Sequence, residues 1–137
     1  MRKMFATLFT VAAVLLAGCG GDAATPPIPA SLAGTWNLST VNGTPLPFVV
    51  QLANPKIEIL SDQLVLSESG TFAQSIMARQ TSGGTITMQN IEDGGTYQAN
   101  GTFATFTFND GSQGTGNVDG KSLTVADVGY ALVYVKQ

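Results

Sequence analysis

The sequence predicts an all-β domain, an antiparallel up-and-down barrel of eight to ten strands, behind a leader and a Pro/Gly-rich tether. Three observations predict it. Turn signals recur at intervals close to ten residues, the runs between them alternate apolar and polar residues with period two, and no run carries a convincing helical period.

The leader comes first. Arg2 and Lys3 give a positive start, and Met4 to Ala17 is a 14-residue apolar run with no charge. That length suits the hydrophobic region of a signal peptide and falls short of the about 20 residues of a membrane span. The run closes on Leu16-Ala17-Gly18-Cys19, which resembles the lipobox of bacterial lipoproteins, and Cys19 is the only cysteine in the chain. The resemblance implies a lipoprotein signal peptide over residues 1–18 and a lipidated Cys19 as the mature N-terminus. The alternative is an ordinary secretory signal that ends beside a free thiol. A diacylglycerol with an N-acyl chain (palmitate or a similar fatty acid) supplies more than one hydrocarbon anchor, which gives stable attachment. The expected protein is therefore anchored to a membrane and does not span it. Its expected place is the cell envelope: the outer membrane where the organism has one, since Gly20 rather than Asp follows the cysteine, and otherwise the outer face of the cytoplasmic membrane.

Composition narrows the chemistry. The chain has no histidine, and acylation of Cys19 leaves no cysteine for a disulfide, so the usual zinc, copper and haem ligands are missing. No cofactor or metal is expected. Without Arg2 and Lys3 the cations are Lys56, Arg79, Lys121 and Lys136 against nine acids, a formal balance of −5. A sparse acidic surface argues against nucleic acid as a partner.

Residues 19–32 form the tether. Pro26, Pro27 and Pro29 among glycines and small residues favour an extended, semi-rigid spacer. The folded domain is then 33–137, a span of 105 residues, enough for a modest core. Its turns are Asn42-Gly43, Ser69-Gly70, Ser82-Gly83-Gly84, Asp93-Gly94-Gly95, Asn100-Gly101, Asn109-Asp110-Gly111 and Asp119-Gly120, where Gly and Asn tolerate positive φ. The strands between them are Gly34–Val41, Phe48–Leu52, Lys56–Ser67 with a kink near Ser61-Asp62, Thr71–Gln80, Thr85–Ile91, Thr96–Ala99, Thr102–Phe108, Gln113–Val118, Ser122–Ala126 and Tyr130–Lys136.

Alternation assigns an apolar face to Trp36 and Leu38, Ile57 and Ile59, Leu64 and Leu66, Phe72 and Ile76, Ile86 and Met88, Phe106 and Phe108, Leu123 and Val125, and Tyr130, Leu132 and Tyr134. A single open sheet would leave that face in water. Barrel or sandwich closure covers it, and sequential short hairpins favour the up-and-down barrel, with the Tyr130–Lys136 strand pairing with the first.

Leu32-Ala33-Gly34-Thr35-Trp36-Asn37-Leu38, followed by Val41-Asn42-Gly43-Thr44-Pro45-Leu46-Pro47, resembles the opening of the small bacterial lipocalin-like lipoproteins. Gly70-Thr71-Phe72 and the terminal strand extend the likeness over nearly the whole domain. The resemblance implies a barrel in which Gly34 opens the first strand and Trp36 plugs the closed end. Lipocalins place an arginine over that Trp; the only late cation here is Lys136, and their Thr-Asp-Tyr motif is absent.

An enzyme is not expected. A nucleophilic Ser or Thr needs a base, and the sequence offers no His. Asp93, Asp110 and Asp119 each read as turn residues beside Gly, without a calcium-loop pattern, and Glu58, Glu68 and Glu92 read as solubilising charges. The sequons at Asn37, Asn42 and Asn100 fall in a chain with a bacterial lipobox, so they are read as strand and turn residues. Two function classes remain. In one, the filled barrel is a structural or protein-interaction module of the envelope. In the other, it holds a small apolar ligand such as a lipid or isoprenoid, with Trp36, Phe72, Phe106, Phe108 and Tyr134 as candidate interior contacts. The first is preferred because the domain is small and its loops are short.

Overall fold

A computed structural model describes residue 29 and residues 32–137; the lipobox, Cys19 and most of the tether lie outside the described residues. Ten strands follow in order: β1 (Gly34–Val41), β2 (Thr44–Pro45), β3 (Phe48–Gln51), β4 (Lys56–Leu66), β5 (Thr71–Ser82), β6 (Thr85–Asn100), β7 (Phe103–Phe108), β8 (Gln113–Asp119), β9 (Ser122–Asp127) and β10 (Tyr130–Lys136). Eight of them close an antiparallel barrel in the order β1-β10-β9-β8-β7-β6-β5-β4, and β4 returns to β1. Strands β2 and β3 are short additions on β1 and β4.

Closure is made by β1, which uses both of its edges. Trp36 stands opposite Lys136 of β10 on one side and Leu64 of β4 on the other. The C-terminal strand therefore pairs with the first, as the apolar alternation of Tyr130, Leu132 and Tyr134 predicts. Most of the predicted turns carry positive φ, including Asn42 at 50° and Gly43 at 77°. Asn42 Oδ1 accepts from the Ala131 amide at 2.8 Å, so this turn also ties β1 to β10.

The end of the barrel where β1 begins is plugged. Trp36 is fully buried, its indole N–H donates to the Leu32 carbonyl at 2.9 Å, and Leu66 and Leu123 pack in the same core. Lys136 Nζ sits 5.4 Å from the centre of the Trp36 ring, so the late cation stands over the Trp as a cation–π partner.

Two expectations fail in β6. Asp93-Gly94-Gly95 is not a turn: one strand runs unbroken from Thr85 to Asn100. These glycines sit where backbones come too close for any side chain. A Cβ on Gly95 would lie 2.0 Å from the Thr107 carbonyl oxygen, and one on Gly94 would lie 2.8 Å from that of Phe72. Ile86 and Met88 are not interior either; they are 62% and 52% exposed. Beyond Gly94 toward the hairpin tip, β6 has left the barrel. It forms an arm with β5, β4 and β3 in which Thr85 to Ile91 pair only with Ser82 to Ile76 of β5.

The arm leaves from the end opposite the plug. Along β4 the chain passes from Lys56, paired with Thr81 near the arm tip, to Leu66, paired with Phe72 and Gly34, about 33 Å at the usual strand rise. A register shift between Ile59 and Ser61 marks the passage, close to the kink expected at Ser61-Asp62.

Candidate functional site

The interior is the first place to look for a site, and it is packed. Phe72 meets Phe106 edge-on at 5.5 Å between ring centres and Phe108 at 5.2 Å, while Tyr97 stacks on Phe106 at 5.9 Å. Edge-to-face contacts of this kind add to simple area burial. Space for the rings comes from β8, whose inward positions are Gly114, Gly116 and Val118. A Cβ on Gly116 would lie 2.9 Å from Phe106 Cε2 and 3.2 Å from Leu123 Cδ1. Small residues on one strand accommodate large ones on its neighbour.

Among the described residues a recess of about 20 Å³, partly open to solvent, lies among these rings, bordered by Phe72, Phe106, Phe108, Leu132 and Tyr134 and by the polar Gln74 and Asp127. That is room for one water and far below the several hundred Å³ of a small-molecule site. Four of the five candidate interior contacts, Phe72, Phe106, Phe108 and Tyr134, thus lie together around it. Trp36 stands apart in the plug.

Beside the recess lies a polar group that the sequence reading did not single out. Asp62 is 4% exposed and Gln74 is also buried. Tyr134 donates its hydroxyl to Asp62 Oδ2 at 2.7 Å, and Gln74 Nε2 donates to the same oxygen at 2.8 Å. Asp62 Oδ1 and Asp127 Oδ1 are buried without a hydrogen-bond partner among the described residues. Burial pushes the Asp62 carboxyl above the ordinary aspartate range, against the two donated hydrogen bonds. The Tyr134 phenol is pushed up as well, first by burial and then by the adjacent Asp62. Parity was the available signal: Asp62 precedes Leu64 and Leu66 on the inward face, and Gln74 stands between Phe72 and Ile76. Polar identity masked it.

The arm carries the second cluster. Glu58, expected to be a surface charge, is buried between Lys56 Nζ at 2.8 Å and Arg79 Nε at 2.9 Å. The hydrogen bond from Arg79, with that from Lys56, holds its carboxyl down at about 2. Asp110 keeps its turn role, accepting from the Ser112 amide at 2.8 Å. Asp93 instead stands in mid-strand, where it accepts from the Gly94 amide. Among the described residues no group of three or more acidic, His or Cys side chains is placed to hold a metal ion. No described helix is long and apolar enough to cross a membrane.

Comparison with protein-family models, curated proteins and solved structures gives no match to this chain.

Proposed function

We propose that the protein is a lipid-anchored envelope lipoprotein whose barrel acts as a structural or protein-interaction module, and that it is not an enzyme. The observation that carries this reading is the filled interior. A recess of about 20 Å³ among interlocked rings has no volume for a lipid or isoprenoid. Recognition then falls to the outer faces and to the arm, where Ile86, Met88, Ile91 and Val50 are exposed. The anchor at Cys19 is carried by the lipobox resemblance, and with it the membrane as a partner through lipid.

Two measurements test the reading. Metabolic labelling with a fatty acid should mark the wild-type chain and not Cys19→Ala, which should accumulate as unprocessed precursor; a Cys19→Ala protein still cleaved and still held in washed membranes removes the anchor. Titration with a lipophilic fluorescent probe should show no saturable uptake. One-to-one binding that responds to Phe106→Ala would instead establish the barrel as a ligand carrier.

A further inference from the structure

The free side of β6 has the chemistry of an unfinished sheet. From Thr85 to Asp93 the strand pairs with β5, and among the described residues no strand lies on its other side; pairing with β7 begins only at Gly95. Backbone parity fixes which groups face outward. The Gly94 carbonyl accepts from the Asn109 amide on the β7 side, whereas the Tyr97 amide donates to Gly70 on the β5 side. Counting back by twos along the unbroken strand, the N–H and C=O groups of Ile86, Met88, Asn90 and Glu92 are directed to the free edge.

Sheet edges are ordinarily blunted by prolines, lysines, bulges or brevity. The other edge of this arm is blunted: β3 has four residues, a register shift between Val49 and Gln51, and Pro47 and Pro55 near its ends. The β6 edge has none of these devices. Its twelve pairs with β5 run without a shift, and Thr85 to Ile91 contains no Lys, no Pro and no charge. A row of backbone donors and acceptors is completed by another strand, so the occupant is a β-strand.

We propose that the occupant is the same edge of a second copy, paired antiparallel about a two-fold axis at Thr87. A two-fold axis normal to the sheet pairs even-numbered residues with even-numbered ones, which leaves a few registers. With Thr87 opposite the partner's Thr87, Ile86 faces the partner's Met88 and Met88 faces the partner's Ile86. Four apolar side chains, now 62% and 52% exposed on each copy, then form one covered cluster. Glu92 and Asp93 of each copy pass beyond the end of the other strand, away from each other. Centring on Gln89 would set Ile86 against the partner's Glu92, and centring on Met88 would set Ile86 against the partner's Asn90. Both leave apolar groups opposite polar ones.

The paired stretch is short, so the interface falls below the about 1,200 Å² of stable complexes. Association is weak in dilute solution and is promoted when copies share one membrane surface. In that respect the inference rests on the anchored interaction-module reading.

The test uses the full chain in the membranes of bacteria that express it, with one added cysteine, and the parent chain with Cys19 alone as baseline. Under mild oxidation Thr87→Cys should give disulfide-linked dimers well above baseline, because opposed residues at a non-hydrogen-bonded site bring their Cβ atoms near disulfide distance. Thr105→Cys, on the outer wall of the barrel, should stay at baseline. Ile86→Lys added to Thr87→Cys should return cross-linking to baseline with an unchanged melting temperature. Thr87→Cys at the level of Thr105→Cys overturns the proposal, and stronger dimers from Gln89→Cys overturn the register. A photo-reactive residue at Met88 separates this from the broader reading. Adducts of doubled mass support self-pairing, whereas adducts only to a different polypeptide overturn it and leave the interaction-module reading in place. Thr87→Cys dimers from a chain that takes up no fatty acid support the pairing and remove the anchor.

Discussion

Tyr134 on β10 donates its hydroxyl to Asp62 on β4 at 2.7 Å, reaching across β1 inside the barrel. The bond joins strands that are not neighbours, and it holds in the core a carboxyl group with one oxygen unpartnered among the described residues.

Stability should therefore respond to pH in two opposed ways. Burial raises the folded pKa of Asp62, so the native state binds its proton more readily than the unfolded chain does. Its contribution is most favourable at low pH and declines as pH rises through the raised value. Glu58 is held at about 2, so its contribution is present above the ordinary glutamate value of 4.5 and is lost as pH falls toward 2. Asp62→Asn should remove the first effect: denaturation midpoints measured from pH 4 to 8 should fall with pH in the wild type more steeply than in the variant. Parallel profiles would show that Asp62 titrates normally.

The barrel was legible because its signals are local. Gly34-Thr35-Trp36, the spaced Asn-Gly and Asp-Gly turns and the alternation in Leu64-Val65-Leu66 or Tyr130-Ala131-Leu132 each follow from neighbours in the chain. What stayed hidden depends on distant contacts. Gly94 and Gly95 read as a turn because glycine pairs do so when nothing else is known; their real role is set by Phe72 and Thr107 on the flanking strands. Ile86 and Met88 alternate like core residues, yet alternation cannot say where a barrel ends and an arm begins. Asp62 and Gln74 broke the apolar rule within strands that were otherwise assigned to the interior.

Phe106 tests the packed interior. It is fully buried against Phe72, Tyr97 and Gly116. Truncation to Ala should cost about 3–5 kcal/mol, a large share of the stability of a small domain, read as a lowered urea midpoint. A loss under about 1 kcal/mol would mean that the ring adjoins open space.

Gly116 and Phe106 should be energetically coupled. Gly116→Ala puts a methyl 2.9 Å from the Phe106 ring and should cost about 1–3 kcal/mol through overpacking. In a Phe106→Leu background the same change should cost clearly less, since the smaller side chain vacates that space. Additive losses would place the strain elsewhere.

Gly95 is the sterner case, because the obstacle is backbone. Its virtual Cβ lies 2.0 Å from the Thr107 carbonyl oxygen, and no rotamer change relieves that. Gly95→Ala should cost about 3 kcal/mol or more and loosen the pairing of β6 with β7, read as faster amide exchange at Asn109, which donates to the Gly94 carbonyl, and at the paired Thr96 and Thr107. Unchanged exchange there would refute the close approach.

Val128 offers a gain instead of a loss. It occupies the β9–β10 turn at φ 38°, a conformation that crowds a β-branched side chain, and it is 85% exposed, so its packing contributes little. Left-handed backbone costs an ordinary L-residue about 1–2 kcal/mol, and Asn tolerates it better. Val128→Asn should therefore raise stability by about 1 kcal/mol with an unchanged denaturant slope, because the surface exposed on unfolding stays nearly the same. Asn42 already fills the equivalent left-handed place before Gly43, at φ 50°, and serves as the internal precedent. A Val128→Asn chain no more stable than the wild type would mean that the turn relaxes around valine without strain.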